Sequence, residues 1–239
     1  MNYIFETPAD TAHAIAELIL KLSKGKAKKS LPLNIALSGG STPKLLFEVL
    51  VKNYIDSLPW HALRLFWVDE RCVPPTDAES NYGMTYNSLL QNVPIAEKNI
   101  FRMQGENPPQ NEALRYQQLL EKELPARNGF PVFDLILLGM GDDGHTASIF
   151  PNNMALLEST AAVSVGAHPV SGQKRITLTG KTINQADEVV FFITGKSKAR
   201  ILKQIINSED GCEKYPAYHV HAFNEDVKFY LDKDAGTEL

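Results

Sequence analysis

The pattern that most constrains this chain is a series of short runs dominated by Leu, Ile, Val and Phe, at residues 33–37, 63–68, 133–138 and 188–193. Each is too short for a stable helix and too continuously apolar for a half-exposed strand, so each reads as a strand buried on both faces. Helical periodicity separates several of them. Thr7 before Pro8 and Asp10 caps a helix in which Ala12, Ile15, Ala16 and Ile19 recur at helical spacing, and the Lys/Gly/Ser segment 21–30 reads as its frayed end and a loop. Pro43 opens a second helix with Leu45, Leu46, Val49 and Leu50 facing inward. Further helices are expected at 81–90, capped by Ser80, at 111–124 and at 197–207, with further strands at 161–165, 175–178 and 227–231 and a polar loop at 69–78. Strands alternating with helices imply an α/β fold with a mostly parallel sheet covered on both faces. No composition break or internal repeat divides the chain, so a single domain over residues 1–239 is expected.

Composition narrows the function classes. A formal charge of −4 offers no broad basic surface for nucleic acid, so the positive charge needed by an anionic ligand must be local. Cys72 and Cys212 fit neither a disulfide framework nor a zinc ribbon, and read as buried or half-buried thiols in a reducing compartment. The first residues lack the charged and apolar regions of a signal peptide, and no run approaches the ~18 apolar residues of a membrane span. A cytoplasmic protein with no membrane partner is the expectation.

The loops after the apolar runs carry the chemistry, at the carboxyl ends of strands where open α/β sheets build ligand sites. Ser38-Gly39-Gly40-Ser41-Thr42-Pro43 combines a glycine turn, hydroxyls and a helix start. It suits a phosphate, or equally a tight turn capped by Thr42. It is not a P-loop, since Gly-Lys-Ser/Thr is missing. Asp69-Glu70-Arg71 offers a guanidinium for bidentate grip on a phosphate or carboxylate, although such a triplet alone is commonly just solvated. In Gly195-Lys196-Ser197-Lys198-Ala199-Arg200 the cations stand at a helix start, a placement that favours an anion between them. Arg175 begins a strand and is ambiguous by itself.

The run at 133–138 leads into Gly139-Met140-Gly141-Asp142-Asp143-Gly144-His145-Thr146-Ala147-Ser148. Its Gly-x-Gly-x-x-Gly spacing matches the dinucleotide fingerprint, but two aspartates would repel a pyrophosphate and Pro151 would cut the following helix short. His145 is the candidate base, with Asp143 close enough in sequence to orient it; in isolation a turn histidine bonded to backbone is the plainer reading. His219-x-His221 lacks a third metal ligand and reads as the two faces of a strand. Gly-x-Ser-x-Gly is absent and neither cysteine has a triad-like neighbourhood, so covalent nucleophilic catalysis is unsupported.

Taken together, five blocks resemble the 6-phosphogluconolactonase family, in the family's order and over nearly the whole chain. They are 38–43; Asp69-Glu70-Arg71 with Ser80-Asn81-Tyr82; 139–151; Arg175-Ile176-Thr177-Leu178-Thr179; and Gly195-x-x-Lys198-Ala199. The resemblance implies a Rossmann-like, three-layer α/β/α fold shared with glucosamine-6-phosphate deaminases and ribose-5-phosphate isomerases. It also implies hydrolysis of 6-phosphoglucono-δ-lactone in the oxidative pentose phosphate pathway, without metal or cofactor, by a monomer or small homo-oligomer. On that basis His145 and Asp143 are the expected catalytic residues. Gly39, Gly40, Ser41, Thr42, Asp69, Arg71, Arg175 and Lys198 are the expected substrate-binding ones. Deaminases of the superfamily carry an aromatic residue after the Asp-Glu pair and a Glu five positions beyond the His, where this chain has Arg71 and Phe150. The scaffold also serves as a sugar-phosphate sensor in some transcriptional repressors, but no basic helix-turn-helix precedes the ligand loops here.

Overall fold

The computed structural model describes residues 1–224 and 226–239. In chain order the elements are β1 (Asn2–Phe5), α1 (Pro8–Ala27), β2 (Leu33–Leu37), α2 (Ser41–Asn53), β3 (Leu63–Trp67), β4 (Asp69–Arg71) and α3 (Asn81–Ser88). There follow β5 (Ile100–Phe101), α4 (Pro109–Glu123), β6 (Ala126–Arg127), β7 (Phe130–Pro131), β8 (Leu135–Leu138), β9 (Val163–Ala167) and β10 (Lys174–Leu178). The chain closes with α5 (Gly180–Ile183), β11 (Val189–Ile193), α6 (Ala199–Ile206) and β12 (Lys228–Asp232). Seven strands form one sheet in the order β1-β12-β11-β8-β2-β3-β5, and every neighbouring pair in it is parallel.

The central strands are apolar on both sides because both sides are covered. Ala36, Phe66, Ile136 and Phe191 face a core built with α4 and α6, through Ala113, Tyr116, Leu120, Leu202 and Ile205. Their sequence neighbours Ile35, Leu65, Leu137 and Val190 face the opposite core, where α1 contributes Ile15 and Ile19 and α2 contributes Leu46 and Leu50. This is the strand period of two written into one sheet with two interiors. Truncating a fully buried ring such as Phe66 or Phe191 to alanine is expected to cost about 3–5 kcal/mol.

Strand order places the functional site. From β2 the chain builds outward through β3 and β5, whereas β8, β11 and β12 grow the sheet in the other direction. The order therefore reverses between β2 and β8, and the crevice outside their carboxyl ends is where such sheets bind ligands. The loops leaving β2 and β8 are the two glycine-rich turns.

Several sequence expectations are corrected. The segment 21–27 is helix rather than frayed end: α1 runs to Ala27, Ser23 is fully buried and Lys26 pairs with Asp134. Lysine is a good helix former and suits a helix's negative C-terminal end, which the loop reading undervalued. Helix α2 opens at Ser41 rather than Pro43, because Gly40 leaves the strand with φ 107° and turns the chain two residues earlier. Thr42 is no cap: its hydroxyl meets Thr194 Oγ1 at 3.0 Å. Asp69 to Arg71 is not loop but β4, the edge of an antiparallel three-stranded sheet in the order β4-β10-β9. His219 and His221 are not on a strand. His219 ends a short 3-10 turn and its ring meets the Glu213 carbonyl at 2.7 Å, while the His221 N–H donates to Asn184. Strands β1 and β5, the β6–β7 hairpin and α5 were not anticipated; each strand and helix among them is four residues or shorter, below the length at which periodicity speaks.

Candidate active site

One cavity of about 200 Å³ opens at the β2/β8 reversal. Gly39, Gly40, Ser41, Thr42, Asp69, Arg71, Arg175, Lys198 and His145 all line it. Asp143 lies behind the wall and reaches the cavity through His145.

The turn after β2 forms one side. Gly40 adopts the left-handed φ that glycine tolerates. Gly39 is required for space, since a Cβ there would lie 1.8 Å from Asn81 Oδ1. The N-cap of α2 receives no side-chain bond, so the first-turn N–H groups are left for a ligand, and the helix dipole favours an anion there.

The small sheet forms the cationic side. Register β4–β10 sets Arg71 directly opposite Arg175. Arg71 donates from Nη1 to the Glu79 carbonyl at 2.5 Å, yet the Nε atoms of both arginines are buried without a partner. Burial, then the neighbouring Arg71 charge, holds Arg175 below the usual guanidinium value despite the nearby Asp69, Glu79 and Glu70 carboxylates. Two half-buried guanidiniums side by side, each with a buried Nε that has no acceptor among the described residues, form a site short of an anion.

Asp69 is more constrained than its expected substrate-binding role implies. It is 6% exposed, its Oδ2 accepts from Ser148 Oγ at 2.6 Å, and its Oδ1 accepts from Asn81 Nδ2 at 3.2 Å. Its neighbour Glu70 is a clasp: the carboxylate accepts from the backbone N–H groups of Arg71, Asn81 and Tyr82 and from Ser80 Oγ. Burial still holds this carboxyl above the usual range, aided by Asp69, even though the backbone donors pull the other way.

The turn after β8 forms the third side. Gly144 takes φ 77° and Gly141 gives the His145 ring its place, for a Cβ there would lie 2.2 Å from the imidazole. That close contact explains the glycine spacing better than a pyrophosphate does: no α-helix follows, only the 3-10 turn Pro151–Leu157. His145 Nδ1 lies 2.5 Å from Asp143 Oδ1, which also accepts the His145 N–H at 3.1 Å. The ring packs on buried Phe150, centroids 4.6 Å apart. Burial raises the Asp143 carboxyl, but the bonds and charge of His145 outweigh it and hold the group below the usual carboxylate range. Lys198 Nζ is 2.8 Å from Asp142 Oδ1, which Ser197 Oγ also reaches; those bonds lower Asp142.

The cavity also uses Asn81, Ser38, Ala147 and Thr194, which were not singled out as site residues. The Ser80-Asn81-Tyr82 block was the available signal for Asn81.

An α/β/α scaffold with a phosphate-ready turn, an unpaired arginine pair and a His–Asp couple at its switch point belongs to a sugar-phosphate enzyme superfamily. Residues 6–229 match the family described as Glucosamine-6-phosphate isomerases/6-phosphogluconolactonase, and the chain belongs to that family. It is 44% identical over 237 residues to the 6-phosphogluconolactonase of Haemophilus influenzae, covering 98% of each chain. Its structure is similar to that of Trypanosoma brucei 6-phosphogluconolactonase, with TM-score 0.86 and 30% identity over 100% of this chain and 98% of that one. A monomeric glucosamine-6-phosphate deaminase has the same fold, with TM-score 0.83 at 19% identity over 100% and 99%. Among the described residues no helix is long and apolar enough to cross a membrane.

Proposed function

We propose that this chain hydrolyses 6-phosphoglucono-δ-lactone to 6-phosphogluconate, acting as one domain with His145 as general base. The observation that carries the reading is the sharing of one cavity by the half-buried Arg71 and Arg175, whose buried Nε donors lack acceptors, and by the Asp143-held His145. The arginines, Lys198, the Ser41 and Thr42 hydroxyls and the open N–H groups of α2 take the phosphate, which leaves the lactone carbonyl to the imidazole.

His145 Nε2 removes a proton from water as the water oxygen bonds to the carbonyl carbon and the π electrons move to the carbonyl oxygen. The tetrahedral intermediate then collapses, the bond from that carbon to the ring oxygen breaks, and the imidazolium returns its proton to the leaving oxygen. Asp143, accepting from Nδ1, keeps the lone pair on Nε2 and steadies the imidazolium between the two transfers. No metal is required for this sequence.

The deaminase alternative is disfavoured by Phe150. Where that reaction would use a glutamate, this chain places a buried ring in contact with His145, so no carboxylate is at hand to open and isomerise an amino sugar. The test is the decay of the lactone, generated in situ, with and without the protein and with His145→Ala. Acceleration lost in the variant is the expected result; wild-type decay at the spontaneous rate would discard the reading, and ammonia release from glucosamine 6-phosphate is then the assay to run.

A further inference from the structure

Among the described residues Ala147 is one of four non-glycine residues with positive φ, the others being Ser30, Asn128 and Ser208. Ser30 and Ser208 follow the ends of α1 and α6, and Asn128 turns the β6–β7 hairpin, all places where a left-handed residue simply ends or reverses an element. Ala147, at φ 49°, instead lines the cavity. A left-handed alanine costs roughly 1–2 kcal/mol, and alanine has no side-chain polar group to offset that.

The surroundings hold it there. Residues Thr146 and Ile149 close a tight turn, with Ile149 N–H donating to the Thr146 carbonyl at 2.9 Å. Thr146 Oγ1 donates to the Gly139 carbonyl at 2.9 Å, Ser148 N–H to Thr177 Oγ1 at 3.1 Å, and Ser148 Oγ to Asp69. The N–H groups of Gly144, His145, Thr146, Ser148 and Ile149 all have acceptors. In residues 144–149 the Ala147 N–H is the one without a protein acceptor among the described residues. Backbone donors in folded proteins are nearly always satisfied by protein or solvent, so this one, in a residue lining the cavity, is free to donate to what the cavity holds. It lies two residues from His145, within about 7 Å between Cα atoms.

We propose that the Ala147 N–H donates to the oxyanion that forms as water adds to the lactone carbonyl. The inference rests on the lactonase reading. It gives the left-handed turn a purpose: the donor is fixed before charge develops and needs no reorganisation when it does.

The test replaces the Ala147 peptide N–H with an ester oxygen by incorporating L-lactate at that position. Loss of one oxyanion donor typically lowers kcat by about 10²–10³-fold, and that loss is expected with KM little changed. Because the ester also weakens the Thr146 carbonyl as acceptor for Ile149, a second variant carries the matching hydroxy acid at 149. It breaks the same turn bond but keeps the Ala147 N–H, and should retain near wild-type kcat. Full kcat in the lactate variant, or equal losses in both ester variants, would overturn the assignment. An inactive wild-type protein would instead sink the lactonase reading itself.

Discussion

The two charged walls of the cavity are built on opposite plans. On the small sheet, Arg71 and Arg175 stand side by side with buried Nε donors and no partner for them. On the turn after β8 both acid–base partners are already joined: His145 meets Asp143, and the neighbouring Asp142 meets Lys198 from the phosphate side. Half-buried cations with unused donors gain most when an anion arrives, so the first wall is suited to binding. The His145–Asp143 couple is held ready for proton movement, so the second is suited to chemistry. Variants on the two walls should therefore separate KM from kcat.

The largest effect belongs to the chemical wall. His145→Ala should lower kcat by about 10²–10⁴-fold, the usual contribution of general acid–base catalysis, with product affinity retained. Equal loss of affinity, measured by titrating 6-phosphogluconate calorimetrically, would merge the two walls and break the comparison. Next comes the binding wall. A hydrogen bond to a charged group is worth about 1.5–3 kcal/mol, so Arg71→Ala and Arg175→Ala should each raise KM by roughly 10- to 10²-fold with kcat held. Steady-state kinetics that place either loss in kcat alone would remove that arginine from the phosphate.

These predictions concern residues visible in the sequence, and it is instructive to see why. Gly39, Arg71, His145 and Lys198 follow strands that announce themselves by unbroken apolar runs, so the loops after them had to gather at one sheet edge. What periodicity cannot show is contact between distant segments. Asp69 meets Ser148 across 79 positions, a bond that fixes this cavity-lining carboxylate in place. Asn81 reaches the cavity because Gly39 has no side chain, a relation between two loops that neither reveals alone. The pairing of Arg71 with Arg175 needed β4, three polar residues that read as loop because their strand character comes from β10 rather than from propensity. The same holds for Ala147: nothing in the residue type advertises a positive φ.

A smaller effect sharpens the chemical wall. In Asp143→Asn the amide still accepts from the imidazole in one orientation but no longer stabilises the imidazolium. The loss in kcat should be smaller than in His145→Ala. Asp143 sits below the usual carboxylate range. By linkage its contribution to stability is present above the unfolded carboxyl value of about 3.9 and is lost as pH falls through the folded one. Across pH 5–9 it therefore stays ionised, and no inflection there should arise from it. Undiminished kcat in Asp143→Asn would disconnect Asp143 from the base.

The smallest effect tests how far the field of the arginine wall extends. Cys72 follows Arg71 directly, and its thiol is pushed up to about 11, first by burial and then by Glu70, with Arg175 and Lys174 pulling the other way too weakly to win. If the cations dominated, the thiol would be acidic and reactive. At pH 8 iodoacetamide should label Cys72 far more slowly in the folded protein than in denaturant, as read by peptide mass spectrometry. Cys72→Ser should leave kcat and KM unchanged. Arg175→Ala, which removes a charge that favours the thiolate, should slow labelling further. Rapid labelling in the wild type, or faster labelling in that variant, would mean that the arginine pair governs its surroundings well beyond the ligand it is placed to hold.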